Sequence, residues 1–228
     1  MVRTSCINQI PIFDILNEEQ KKYVLSLVER KTFKAGQTIY SPGMKANSLY
    51  ILSSGRIRIY RLSESGKEQL LRIIIPGEFT GELALFKEGV YEAFAEALED
   101  VQICMIHHNK FKNLLLEFPS VSSKMLEVLA NRLSVSEEQT AWISTESVRD
   151  RLIHYLARSS YKIKNKDTIV DLTLPKKDLA SYLGTTPESL SREWTHLTNK
   201  GIIQTISKNK IKLNGIYLGS YFCEICQR

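Results

Sequence analysis

The chain has 228 residues, 43% hydrophobic and 25% charged, which is room for two ordinary globular domains, each with its own core. No run approaches the roughly 18 apolar residues of a membrane span, and the opening MVRTSCINQIPIF lacks the apolar stretch of a secretory signal, so a cytoplasmic protein without a membrane partner is expected. The net charge of +6 belongs to the second part alone: residues 1–145 hold 17 Lys and Arg against 17 Asp and Glu, and residues 146–228 hold 14 against 8, a neutral module joined to a basic one suited to a polyanion.

From Phe33 to Phe86 glycines at 36, 43, 55, 66, 77 and 81 punctuate short apolar runs such as SLYIL, GRIRIY and EQLLRIII, the spacing of an antiparallel all-β unit. Arg56 to Ile59 alternates strictly, isoleucines to one face and arginines to the other, and SESGKE has the composition of a hairpin turn. The expected module is a β-roll or barrel. At its end GELALFKEGVYEAFAEALEDVQIC, Gly81 to Cys104, opens like an anion cradle and then supplies no arginine, while bringing Glu88, Glu92 and Glu96. His107 and His108 are adjacent, so on a strand they would point to opposite faces and could not grip one metal.

After Pro119 the apolar residues Val121, Met125, Leu126, Leu129 and Leu133 fall at spacings of three and four, with no Gly or Pro through SVSEEQTAW. This predicts a long helix with an apolar stripe that outlasts the β-unit, and Leu126, Leu129 and Leu133 are the candidate dimer contacts of a homodimer. A helix packed only on its own domain is the alternative.

In LPKKDLASYLGTTPESLSREWTHLTNKGII, Leu179 and Leu183 mark a short helix, Ala180 permits a close crossing, and Gly184 stands where a tight turn needs positive φ. A second helix follows, with Thr186 as N-cap, Pro187 at its first position and Gly201 after its last turn. Leu190, Trp194 and Leu197 form its inward stripe. Glu188, Ser191, Arg192 and Thr195 lie opposite, and Glu188, Ser191 and Arg192 are the candidate base readers: arginine pairs with guanine O6 and N7, glutamate accepts from cytosine N4, and serine contacts thymine or phosphate. A solvated face with an i, i+4 Glu188–Arg192 pair is the bland alternative. The strands expected in IIQTISKNKIKL make a wing, and Thr185, Thr186, Ser189, Lys208 and Lys210 are the candidate contacts to the DNA backbone. Glu193 departs from the pattern, since many such helices are apolar there.

This order of parts resembles the CRP-FNR family of bacterial transcription regulators over nearly the whole chain. PESLSR and AFAEALEDVQIC resemble its FNR-like, Flp-type branch rather than the cyclic-AMP receptors. The resemblance implies an α+β fold: an N-terminal cyclic-nucleotide-binding-like β-roll at 1–118, a long dimerisation helix at 119–145 and a C-terminal winged helix-turn-helix with a short Cys-containing tail at 146–228. It implies double-stranded DNA as partner, read as an inverted repeat of TTGA-type half-sites, with RNA polymerase as a protein partner. Pro187 stands where cyclic-AMP receptors carry another base-reading arginine.

Family members that bind cyclic AMP place an Arg-Ser pair beyond the GEL turn to hold the phosphate. Here Glu92-Ala93 occupies that neighbourhood, and loss of one charge-assisted bond costs on the order of 1.5–3 kcal/mol. Gly81, Glu82, Glu92 and Ala93 are therefore expected to form a degenerate effector pocket. FNR holds an iron–sulfur cluster with three N-terminal cysteines and one in the β-roll. Cys104 matches the latter, but only Cys6 is available near the N-terminus, so no such cluster is expected. The resemblance brings Cys6 and Cys104 toward one place, as candidates for a thiol–disulfide switch. The Cys223–Cys226 pair is too isolated to carry a redox or metal assignment. No cofactor, metal site or catalytic constellation is expected. The rival readings are a cyclic-nucleotide- or small-molecule-responsive regulatory protein and a DNA-binding regulator that takes no effector.

Overall fold

The computed structural model describes residues 10–83, 89–162, 168–172, 174–207 and 209–214; Cys6, Lys208, Cys223 and Cys226 lie outside the described residues. The chain divides into two compact units, 1–135 and 136–228, and the division falls inside the segment 119–145.

In the first unit, helix α1 (Glu18–Leu27) is opened by a capping box: Asn17 accepts from the Gln20 amide, and the Gln20 side chain accepts from the Asn17 amide. Strands β1 (Glu29–Phe33), β2 (Thr38–Tyr40), β3 (Ser48–Ser54), β4 (Ile57–Leu62), β5 (Glu68–Ile74), β6 (Phe79–Thr80), β7 (Phe94–Ala97) and β8 (Val101–His107) follow. They form two antiparallel sheets, ordered β1-β8-β3-β6 and β2-β7-β4-β5. Together they make the expected roll, and the SESGKE turn joins β4 to β5 with Gly66 at φ 78°.

Strand β8 is buried on both faces, and its alternating residues serve different cores. Ile103 and Met105 pack with Ile39, Leu52, Ile57 and Ala95 between the sheets. Cys104 and Ile106 pack with Phe13, Leu49, Phe111, Val121 and Met125 on the helical side. Helix α2 (His108–Glu117) begins one residue after β8, so His108 opens a helix instead of prolonging a strand. His107 lies beside Glu29, Nε2 to Oε1 3.2 Å, and no group of three metal-ligating side chains occurs among the described residues.

The long helix α3 runs Pro119–Thr145. Its apolar residues do not share one face. Val121 and Met125 are buried in the helical-side core and Leu129 is partly buried against it, whereas Leu126 and Leu133, seven apart, are 66% and 60% exposed. Spacings of three and four fit two adjacent stripes as well as one, which is why the single stripe read from sequence separates into two.

The second unit contains helix α4 (Val148–Arg158), strands β9 (Ser160–Lys162) and β10 (Thr168–Asp171), helices α5 (Lys176–Tyr182) and α6 (Pro187–Asn199), and strands β11 (Ile203–Ser207) and β12 (Lys210–Leu213). The two wing strands extend into a four-stranded antiparallel sheet, β11-β12-β10-β9. Leu152, Leu156, Leu179, Leu183, Leu190 and Leu197 are buried, as are Val170, Ile203 and Ile211 of the sheet. The architecture is α+β: a cyclic-nucleotide-binding-like roll, a long helix and a winged helix-turn-helix.

Candidate nucleic-acid interface

Helix α5 ends in a Schellman turn dictated by glycine. Gly184 has φ +64°, its amide donates to the Ser181 carbonyl at 3.1 Å, and the Thr185 amide donates to the Ala180 carbonyl at 2.9 Å. Two residues later Thr186 caps α6, its hydroxyl accepting from the Ser189 amide at 3.2 Å, and Pro187 occupies the first turn. Gly201, at φ +67°, follows the far end. Leu190, Trp194 and Leu197 are buried beneath the helix, each contributing about 1.5–3 kcal/mol of apolar burial.

The opposite face of α6 is open. Pro187, Glu188, Ser191, Arg192 and Thr195 line one shallow groove, which brings all three candidate base readers together. Arg192 donates through Nη2 to the Ser189 hydroxyl at 3.2 Å, so a reader and a candidate backbone contact are neighbours. The Glu188 carboxyl is held below its usual range, first by its own backbone amide, then by the Thr186 hydroxyl, with the Arg192 charge adding to both. It is therefore a ready acceptor near neutral pH. In the wing Lys210 is half-exposed, its Nζ 3.6 Å from Asp171 Oδ1. Thr185 is half-buried at the turn.

Three contacts within the same unit carry no linear signal. Glu193, the departure noted above, accepts from Arg149 Nε of α4 at 2.8 Å, so the reading helix is tied to α4 by an ion pair at a position where many such helices are apolar. Lys176 of α5 sits over the Trp194 ring, 4.9 Å from its centroid, which places a cation at the crossing of the two helices. Arg158 of α4 pairs with Glu138.

In the roll, Gly81 has φ +86° and a Cβ there would lie 2.6 Å from the Ser48 carbonyl oxygen, so the turn accepts only glycine. Glu82 is 95% buried, and its Oε1 accepts from Arg72 Nη2 of β5 at 2.7 Å and Arg132 Nη1 of α3 at 3.2 Å. The stretch that supplies no arginine of its own thus receives two from elsewhere. Arg132 also donates to the Phe79 carbonyl at 2.9 Å and lies over the Phe79 ring. Burial lowers its pKa, and the Arg72 charge acts in the same direction. Next to this cluster the Tyr40 and Tyr91 rings stack at 4.0 Å with Tyr50 alongside, Tyr40 and Thr80 share a hydroxyl hydrogen bond of 2.6 Å, and the Tyr91 hydroxyl donates to the Ser48 carbonyl at 3.0 Å. Burial pushes the Tyr40 hydroxyl up to about 12. Glu92 is half-exposed and accepts from Arg61 at 2.5 Å, while Ala93 packs against the inter-sheet core. Cys104 is 1% exposed and disulfide-bonded.

Residues 30–118 match the cyclic nucleotide-binding domain family and residues 150–215 the Crp-like helix-turn-helix domain. The probable transcriptional regulator Flp of Lacticaseibacillus casei is 31% identical over 92% of this chain and 94% of its own. The fumarate and nitrate reduction regulatory protein of Escherichia coli K12 is 26% identical over 89% of this chain and 82% of its own. Among solved structures a mutant of CooA from Carboxydothermus hydrogenoformans superposes with a TM-score of 0.80 at 23% identity, covering 96% of this chain and 98% of that one. These sequence relatives are named as regulators, not enzymes, and both domains of the pattern occur here in the same order. The chain belongs to the CRP-FNR family of transcription regulators.

Proposed function

We propose that the chain acts in the cytoplasm as a homodimer that reads an inverted repeat of TTGA-type half-sites and answers to the thiol state of Cys6 and Cys104 instead of to cyclic AMP. The observation that carries this reading is the open α6 groove, where Glu188, Ser191 and Arg192 converge and all three are exposed. Half-sites about 10 base pairs apart, centre to centre, would let two such helices enter successive major grooves on one face of the duplex. Dimer formation is supported by Leu126 and Leu133, large apolar side chains left 66% and 60% exposed on a single chain. The proposal includes RNA polymerase as a protein partner.

Two observations bear on the signal. Glu82, the carboxylate that would hold a ribose, is already engaged by the chain's own Arg72 and Arg132, and Glu92-Ala93 offers nothing to a cyclic phosphate. Cys104 is disulfide-bonded, and the three other cysteines, Cys6 among them, all lie outside the described residues. A disulfide in a reducing compartment is characteristically regulatory. Selection of binding sites from random duplex DNA, with and without a thiol reductant, tests the reader and the sensor together. The expected outcome is enrichment of a TTGA-type palindrome whose affinity changes with reductant. An enriched sequence without two-fold symmetry would remove the dimeric reading. Equal affinity in both redox states, or no Cys6–Cys104 linkage in peptide maps of the oxidised protein, would remove the switch.

A further inference from the structure

The last four carbonyls of a helix have no partner within it, and at the end of α5 all four can be followed. Ala180 and Ser181 are satisfied by the backbone of the turn, through the amides of Thr185 and Gly184. The remaining two are taken by side chains from outside the helix-turn-helix. Gln139 of α3 donates Nε2 to the Tyr182 carbonyl at 2.9 Å, and the buried Arg151 of α4 donates Nη1 to the Leu183 carbonyl at 2.5 Å. Ile143, four residues after Gln139, abuts the same turn: a Cβ on Gly184 would meet Ile143 Cγ2 at 3.4 Å and Arg151 Nη1 at 3.2 Å. Residues 136–145 of α3 therefore belong with the reading unit.

We propose that Gln139 is a positioning residue for DNA reading: it fixes the turn from which α6 departs, so the final turns of the long helix set the angle at which Glu188, Ser191 and Arg192 are presented. The inference rests on α6 being the reading helix. Thr186, the N-cap of α6, stands four residues after Tyr182, too few for the turn to absorb a shift of that carbonyl without moving the start of α6. Gln139 is half-buried and contacts the turn, not the groove, so it does not itself read a base.

The test uses Gln139→Met, which keeps length but has no donor, and Gln139→Glu, which keeps shape and places a carboxylate against a carbonyl. Affinity of each full-length variant is measured for the duplex that the wild-type protein selects from random DNA and for a scrambled duplex of equal length. Both variants should bind the selected duplex about five- to tenfold more weakly, the equivalent of one lost hydrogen bond, with affinity for the scrambled duplex unchanged. A merely structural role would lower both affinities alike, so a preserved ratio overturns the proposal. So does a Gln139→Met variant equal to wild type beside a weakened Gln139→Glu, because the defect would then come from the introduced charge. If the wild-type protein selects no sequence at all, the reading function fails and this inference falls with it; if it selects one and Gln139→Met keeps the full preference, only the inference fails.

Discussion

Glu82→Gln separates a structural carboxylate from a ligand-binding one. The substitution keeps the volume of the side chain but removes the charge that accepts from Arg72 at 2.7 Å and Arg132 at 3.2 Å. Glu82 has only 7% of its side chain exposed, whereas Arg72 and Arg132 retain 30% and 20%, so water screens the guanidiniums in part. Two charge-assisted bonds are weakened and two like charges lose their common counter-ion. Hydrogen bonds to charged groups are worth about 1.5–3 kcal/mol each, and an amide oxygen retains part of that, which gives a loss of about 2–4 kcal/mol. Urea unfolding followed by tyrosine near-UV circular dichroism reads both units, since five of the ten tyrosines (Tyr23, Tyr40, Tyr50, Tyr60 and Tyr91) lie in residues 1–135 and five in residues 136–228; the roll transition is what remains once that of the second unit is subtracted. Trp142 and Trp194, the two tryptophans, belong to residues 136–228, and their fluorescence follows that unit separately. A shift of the roll transition below about 0.5 kcal/mol would refute the structural role and return Glu82 to the position of a group kept for a ligand.

Arg192→Ala should cost roughly 1–3 kcal/mol in binding and relax preference at one base pair, whereas Lys210→Ala should weaken all sequences alike and flatten the salt dependence; filter binding across single-base variants at several salt concentrations distinguishes the two. Leu126→Glu combined with Leu133→Glu should yield a monomer by analytical ultracentrifugation, with far-UV circular dichroism retained because both side chains face solvent in the single chain. Calorimetry should show no micromolar binding of cyclic AMP or cyclic GMP; binding with an accompanying change in operator affinity would count against the degenerate pocket. In alkaline titration followed at the phenolate absorbance, the Tyr40 hydroxyl should remain protonated well above 10. Its folded pKa of about 12 exceeds the unfolded value of 10.0, so its contribution to stability is complete below pH 10 and is lost as pH rises toward 12.

What was legible in the sequence was local chemistry. Gly184, Thr186, Pro187 and Gly201 each perform a task set within a few residues of themselves, and the turn and caps of α6 could be placed from them alone. Leu190, Trp194 and Leu197 announced the buried face by period. The partners of Glu82 could not be found this way, since Arg72 and Arg132 are 10 and 50 residues distant and meet only through the roll. Glu193 looked like a flaw because its partner Arg149 is 44 residues earlier. Gln139 and Arg151 were silent for a different reason: they act on backbone carbonyls, which every residue has and no motif records. The apolar residues of α3 were correctly helical, yet periodicity cannot say which of two neighbouring stripes meets the chain's own roll.

Strand β8 has a mechanical consequence for any chemistry at Cys104. The inter-sheet core touches Ile103 and Met105, but the thiol side of the strand shares its packing with Val121 and Met125 of the long helix. Interiors packed to crystal density do not absorb a change of volume at one atom; they pass it to the next rigid body. The sulfur at position 104 thus shares one core with Leu49 and Ile51 of its neighbouring strand and with the base of α3, so a change of volume there would reach the long helix without crossing the inter-sheet core.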